Sequence, residues 1–334
     1  MVRAMKYNKL AGTEIRVSSV GFGCWAIVGD ATWGPQDENE AIAAMRAALD
    51  AGITLFDTAE MYGNGLSEQF IRKALGDRRD RVVLATKVMS THLEPAALCQ
   101  SCEQSLRNMG TDYIDLYQVH WPSRTIPFPE TIGILEELRK SGKIRAYGIS
   151  NFGPVDLKSF MESGGHPVSN QMAYNLLFRA VEFEVQPLMA KHHVSMLCYS
   201  PLMQGLLTGK FRSAEDVPAG RARTRHYGKN HPGVRHGEAG AEKETFEAIA
   251  EIREVSDELR EPIERVALAW LLRQPTVASA IAGARNPGQA CKNAAAAELV
   301  LPEVVVARLA AATDPLKTRL GPNADMWQSE SRIR

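Results

Sequence analysis

The sequence predicts an α/β fold, a closed (β/α)8 TIM barrel, and three observations carry that expectation. Short β-rich apolar runs alternate with amphipathic helical stretches, and the alternation yields eight strands. No Pro/Ser-rich linker or shift in composition divides the 334 residues in half. An open dinucleotide-binding sheet would carry Gly-x-Gly-x-x-Gly after its first strand. Gly21-Phe-Gly23 and Gly63-Asn-Gly65 each lack the third glycine. One barrel domain over residues 1–334 is therefore expected, with an amino-terminal hairpin, a long insertion between strands seven and eight, and a C-terminal loop over the mouth.

The elements follow in order. Residues 6–17 read as a short hairpin turning at Ala11-Gly12. The first barrel strand spans 20–25, with a helix over 39–51; the second spans 53–57, with a helix over 67–75. Strand 82–87 precedes helix 95–109, strand 114–120 precedes helix 129–141, and strand 146–150 precedes helix 155–162. The sixth strand, 168–173, has its helix over 181–192; the seventh spans 195–200. Then comes the insertion, 205–240, rich in Arg, Gly and His, and two helices over 242–259 and 262–273. The second of these opens with Pro262 in its first turn and stops before Gln274-Pro275. The eighth strand is 277–282 with a helix from Pro287, and a last helix is expected from 301 to 312.

Composition narrows the function. Thirty-nine basic residues balance thirty-nine acidic ones, so no net field draws nucleic acid or an anionic membrane. The polar stretch 1–10 lacks the apolar centre of a secretory signal, and no apolar run approaches the roughly 20 residues that span a bilayer. A cytoplasmic protein is expected. Its five scattered cysteines suit a reducing compartment. Cys99-Gln-Ser-Cys102 has redox spacing but falls about one turn into a helix, where the dipole no longer lowers a thiol pKa. His226, His231 and His236 recur every five residues without a cysteine or carboxylate at ligand spacing. They read as a solvated basic loop and not a metal site.

Four polar residues sit in matching places. Asp57, Lys87 and His120 end the second, third and fourth strands, and Tyr62 lies five residues beyond Asp57. In a barrel all four converge on the mouth. Each alone has an ordinary structural role open to it, as a cap, a solvated strand end or a half-buried ring. Together they assemble an acid, a cation and a carboxylate on successive strand ends.

The segment Gly52-Ile-Thr-Leu-Phe-Asp57-Thr-Ala-Glu-Met-Tyr62-Gly resembles the signature of the aldo-keto reductases. So do Thr86-Lys87, Leu116-Tyr-Gln-Val-His120-Trp121, Gly148-Ile-Ser150-Asn151-Phe and Tyr199-Ser200-Pro201-Leu202, in order along most of the chain. The resemblance implies NADPH-dependent reduction of aldehydes and ketones. Tyr62 would be the general acid, Lys87 its cation, Asp57 the anchor of that cation, and His120 the group that orients the carbonyl. A lysine about 4 Å away at an effective dielectric near 20 favours a phenolate by roughly 4 kcal/mol, about three pKa units. On that arithmetic Tyr62 should titrate near neutrality.

The same resemblance implies a cofactor site. Ser150, Asn151 and Gln171 would hold the carboxamide, and Tyr199 would stack on the nicotinamide. Ser200, Pro201, Leu202, Gly205, Leu207, Gly209 and Lys210 would fold over the pyrophosphate. Gly283, Arg285, Gln289 and Asn293 would hold the adenosine end, with NADP preference resting on Arg285. Gly283 and Ala284 stand where many members carry lysine and serine, and Gln289 where many carry arginine. Trp25, Trp33, Met89, Trp121, Tyr227 and Trp327 are candidates for the substrate wall, for a small-molecule carbonyl compound. Two rivals stay open. One is a cofactor-binding regulatory or sensor protein on the same fold, as potassium-channel β-subunits are. The other is a different barrel enzyme, such as a phosphate-binding isomerase.

Overall fold

A computed structural model describes residues 5–334; the first four residues of the polar amino terminus lie outside the described residues. A two-stranded antiparallel hairpin opens the chain, β1 (Tyr7–Lys9) and β2 (Arg16–Ser18). Eight parallel strands then close into a barrel: β3 (Val20–Gly23), β4 (Leu55–Asp57), β5 (Val83–Val88), β6 (Ile114–Val119), β7 (Ile144–Ser150), β8 (Ser169–Ala173), β9 (Ser195–Tyr199) and β10 (Val277–Gly283). The fold is a (β/α)8 TIM barrel.

Among the described residues ten α-helices accompany the strands: α1 (Glu38–Asp50), α2 (Leu66–Leu75), α3 (Pro95–Met109), α4 (Phe128–Lys140), α5 (Pro154–Glu162), α6 (Val185–Lys191), α7 (Glu242–Leu259), α8 (Ile263–Leu271), α9 (Pro287–Ala295) and α10 (Glu303–Leu320). Local chemistry sets their ends. Asp37 accepts the Glu40 amide at the start of α1, and Asn286 accepts the Gln289 amide at the start of α9. Pro95 opens α3, and Gly110 closes it at φ 64°. No helix among the described residues is long and apolar enough to cross a membrane.

The hairpin matters for where the site can be. Leu10, Ile15 and Val17 are buried against Leu55, Ala85, Leu116, Ala146 and Leu197 inside the barrel, so its amino-terminal end is an apolar floor. Side chains two apart on a strand share a face. Thus Leu55 is followed on the inner face by Asp57, Ala85 by Lys87, Leu116 by Gln118, and Leu197 by Tyr199. Apolar floor and polar mouth come from one alternation.

Three expectations need correction. The helix expected over 181–192 is a 3-10 turn, Ala180–Glu182, followed by α6. Pro187 lies in the first turn of α6, where its missing N–H costs nothing; in a helix begun at 181 it would clash in the interior. The last helix runs past 312 to Leu320 and carries Pro315 inside it. Burial of Leu316 and Leu320, and the Arg179 guanidinium on the Ala310 carbonyl, Thr313 and Asp314, hold that extension.

Nor is the insertion a solvated loop. His226 is fully buried and pairs with the Leu177 carbonyl and the Thr224 hydroxyl, while His236 pairs with the Thr224 carbonyl. Arg225 grips the carbonyls of Leu320 and Asn323, tying the insertion to the tail. The backbone here is folded because its polar groups find internal partners.

Candidate active site

The centre of the mouth is a buried ion pair. Lys87 Nζ donates to Asp57 Oδ1 at 2.5 Å and to the Thr58 carbonyl at 2.7 Å, and the two side chains are 0% and 4% exposed. The other carboxylate oxygen of Asp57 accepts from Gln171 at 2.7 Å and from Gln118 at 3.2 Å. A carboxylate so fully occupied by donors is fixed in place. Burial opposes the charge on Lys87, but its partners, Asp57 foremost, outweigh it and raise its pKa, so the ammonium persists at neutral pH.

Tyr62 and His120 stand at the rim of this pair. Lys87 Nζ lies 5.2 Å from the Tyr62 ring centre, and the His120 ring meets Tyr62 edge-on at 6.0 Å. Trp25 stacks over Tyr62 at 6.3 Å, and Trp33 meets Trp25 edge-on at 5.5 Å. Burial and the Lys87 charge together depress the His120 pKa to about 3, so its imidazole is neutral and its buried Nδ1 has no protein partner. Tyr62 departs from the expectation of a near-neutral titration. Burial raises its pKa more than Lys87 lowers it, and the hydroxyl stays protonated.

The neighbouring strand ends carry amides. Ser150 Oγ donates to the Gln171 carbonyl, and Asn151, at φ 63°, donates to the His120 carbonyl and to Ser150 Oγ. Tyr199 Oη donates to Asn151 Oδ1 at 2.9 Å. Gln171 uses its amide nitrogen on Asp57 and on the Gln118 amide oxygen. Gln118 belongs to this cluster too and was missed from the sequence, although it sits two residues before His120 on the same strand face.

Beyond β9 the chain turns sharply. Ser200, Met203, Gln204 and Gly205 all have left-handed φ, between 44° and 99°. Pro201, Leu202 and Leu207 pack this turn against the core, and Gly209 ends it at φ 70°. Both amide atoms of Gln204 are buried without a partner. Around the turn stand Lys210 and Arg221, with Arg285 close enough to act on both; burial and the neighbouring cations push their pKa values down. None of the three cations pairs with a carboxylate among the described residues. A buried unpaired amide beside unneutralised cations is a costly arrangement unless an anionic ligand completes it. Gln204 and Arg221 were not legible as site residues, because each needs the folded turn to bring it to Lys210.

Arg285 follows Gly283, the last residue of β10, at the start of the α9 region. Its guanidinium donates to Gln36 Oε1 at 2.6 Å, to the Trp33 carbonyl at 2.7 Å and to the Pro35 carbonyl. Gln289 accepts the Arg285 amide, and Asn293 donates to the Gly283 carbonyl. Of the wall candidates, Trp25, Trp33, Met89, Trp121 and Trp327 are half-buried or nearly so around the mouth elements. Tyr227, also expected there, is instead closed within the insertion, 2% exposed and edge-on to His231 at 5.4 Å. Cys99 and Cys102 lie inside α3 as free thiols, and burial pushes Cys102 up to about 12.

Comparison with known proteins agrees with the geometry. The model of the aldo/keto reductase family matches residues 19–314. Aldo-keto reductase YhdN of Bacillus subtilis is 37% identical over 301 residues, 85% of this chain and 86% of that protein. The NADH-specific methylglyoxal reductase of Escherichia coli is 32% identical over 324 residues, 89% of this chain and 95% of that protein. The crystal structure of an aldo-keto reductase from Klebsiella pneumoniae in complex with NADPH superposes with a TM-score of 0.73 at 29% identity, covering 100% of this chain and 99% of that one.

Proposed function

Because this chain belongs to the aldo/keto reductase family, we propose that it is an NADPH-dependent reductase of aldehydes and ketones, acting as one barrel domain. The observation that carries the proposal is the buried Asp57–Lys87 pair with Tyr62 and His120 at its rim. The unpartnered Gln204 amide and the cations Lys210, Arg221 and Arg285 fit a ligand bearing a pyrophosphate and a further phosphate.

Reduced nicotinamide, when bound, supplies the hydride that adds to the carbonyl carbon. Tyr62 gives its phenolic proton to the carbonyl oxygen. That oxygen becomes an alkoxide, far more basic than a phenolate, so even a phenol with a raised pKa passes its proton downhill. Lys87 steadies the phenolate left behind, and Asp57 holds Lys87 in place. Neutral His120 donates a hydrogen bond to the same oxygen and fixes its direction. Ser150, Asn151 and Gln171 would hold the carboxamide, and Tyr199 would offer its ring to the nicotinamide. The turn from Ser200 through Lys210 would hold the pyrophosphate, and Arg285, with Gln289 and Asn293 behind it, would hold the 2′-phosphate.

Loss of NADPH absorbance with a panel of aromatic and aliphatic aldehydes tests this reading. Wild type should turn over, and Tyr62→Phe should be slower by about 100-fold or more with nearly unchanged NADPH affinity. Equal rates would remove Tyr62 as the acid. Tight NADPH binding without turnover would favour the sensor reading, and no NADPH binding would sink both.

A further inference from the structure

The C-terminal tail places an arginine at the mouth that the mechanism does not use. Arg332 lies flat on Trp121, its guanidinium carbon 4.0 Å from the ring centre. Trp121 is the residue after His120. Two of the three guanidinium nitrogens donate to Asp325, Nε to Oδ2 at 2.7 Å and Nη2 to Oδ1 at 3.0 Å. The third, Nη1, makes no hydrogen bond to the described residues. The pair is asymmetric: Asp325 is 0% exposed and Arg332 37%. The Asp325–Arg332 pair also lies within electrostatic reach of Tyr199, which bonds Asn151 and, through it, the His120 carbonyl.

Arg332 is not needed merely to hold the tail down. Arg124 grips Asp156 through both its terminal nitrogens, at 2.6 and 2.8 Å, and reaches the Arg332 carbonyl. The Asp156 amide donates to the Arg334 carbonyl at 2.8 Å, and the Arg225 amide to the Met326 carbonyl at 2.9 Å. The tail backbone is clasped at both ends by other groups. Stacking on Trp121 then aims a guanidinium edge without using up its donors.

The surrounding charges favour an anion. Arg223 lies over Trp327 at 5.8 Å, has no carboxylate partner among the described residues, and keeps a buried Nε unpartnered. The carboxylates nearby are already committed. Asp325 also accepts from the amides of Trp327 and Arg332, and Asp30 accepts from Trp25 Nε1 and the amides of Thr32 and Trp33.

We propose that Arg332 is a specificity-determining residue whose free edge receives a carboxylate on the substrate, so that aldehydes and ketones carrying a carboxylate are the favoured class. The inference rests on the reductase reading. A planar guanidinium meets a carboxylate with charge-assisted hydrogen bonds, and the wall of Trp121 and Trp327 accepts the carbon skeleton between that anchor and the carbonyl.

Matched substrates separate the two claims. 4-Carboxybenzaldehyde and benzaldehyde are compared in wild type, Arg332→Met and Arg332→Lys, and benzoate is titrated into each NADPH complex by cofactor fluorescence. Wild type should favour the carboxylate substrate by about tenfold or more. Arg332→Met should raise KM for it by about 10- to 100-fold, weaken benzoate by about tenfold, and leave benzaldehyde within about threefold; Arg332→Lys should fall between. Equal losses on both aldehydes, with benzoate affinity unchanged, would overturn the role of Arg332 while leaving the reductase intact. If neither aldehyde is reduced, the reductase reading fails, and the benzoate titration still decides whether Arg332 binds a carboxylate.

Discussion

Under the proposed function Arg285 would meet two demands at once. Its guanidinium fastens the Trp33–Pro35–Gln36 segment through three acceptors, and all of them are neutral. Its charge is therefore unneutralised, and a 2′-phosphate can exchange for one of those acceptors with a gain in electrostatic energy. A charge-assisted hydrogen bond contributes about 1.5–3 kcal/mol, which is about 10- to 100-fold in affinity. Arg285→Ala should weaken NADPH by that factor and NADH by no more than about threefold, read by fluorescence titration of both cofactors. Arg221→Ala removes a cation from the turn proposed to serve both cofactors, and should weaken the two alike. Parallel losses in Arg285→Ala would mean that this residue only fastens the segment. That Lys210, Arg221 and Arg285 form one cationic cluster could not be derived from the chain alone, since they become neighbours only through the turn at 200–205.

At the scale of elements, the strands and most helices were legible because alternation and end signals coincide. The helix over 95–109 has Pro at its first position and Gly after its last, and α3 has those same bounds. Asp57, Lys87 and His120 were legible for the same reason, as polar residues closing apolar strands. Tertiary contacts decided the rest. The insertion reads as polar by composition, yet its histidines and Arg225 are consumed by carbonyls far along the chain. The last helix stops at 312 on local rules and continues because Leu316 and Leu320 gain burial. That continuation leaves a measurable cost. Pro315 supplies no N–H for the Ala311 carbonyl and crowds it; a proline in a helix interior costs about 3 kcal/mol against alanine. Pro315→Ala also frees the unfolded chain, which offsets about 0.4–1 kcal/mol. The variant should be more stable by about 2–2.6 kcal/mol in urea unfolding. A loss of stability would show that the proline bend is what seats α10 on Arg179.

For the whole molecule, burial of neutral imidazoles ties stability to pH. His120 and His226 are held near pKa values of about 3 and about 4, both lowered mainly by burial. In the unfolded chain each takes up a proton below about 6.5. As the pH falls from 6.5, the unfolded state therefore binds more protons than the folded one, and stability drops. The contribution is complete above pH 6.5 and is lost on the way down to the folded pKa values. At pH 4.5 each histidine has given up roughly 2–3 kcal/mol, together on the order of 5 kcal/mol. Glu68 works against this loss: burial raises its carboxyl pKa, so the folded state gains a proton there first. The net fall should still appear as a lower urea midpoint at pH 4.5 than at pH 7. His226→Asn, which keeps a donor for the Leu177 carbonyl but cannot titrate, should start less stable at pH 7 and lose about half as much on acidification. A wild type whose midpoint is flat from pH 7 to 4.5 would mean that these imidazoles are reached by water in the native state. The mouth around His120 would then be wetter than the packing of Trp25, Tyr62 and Lys87 requires.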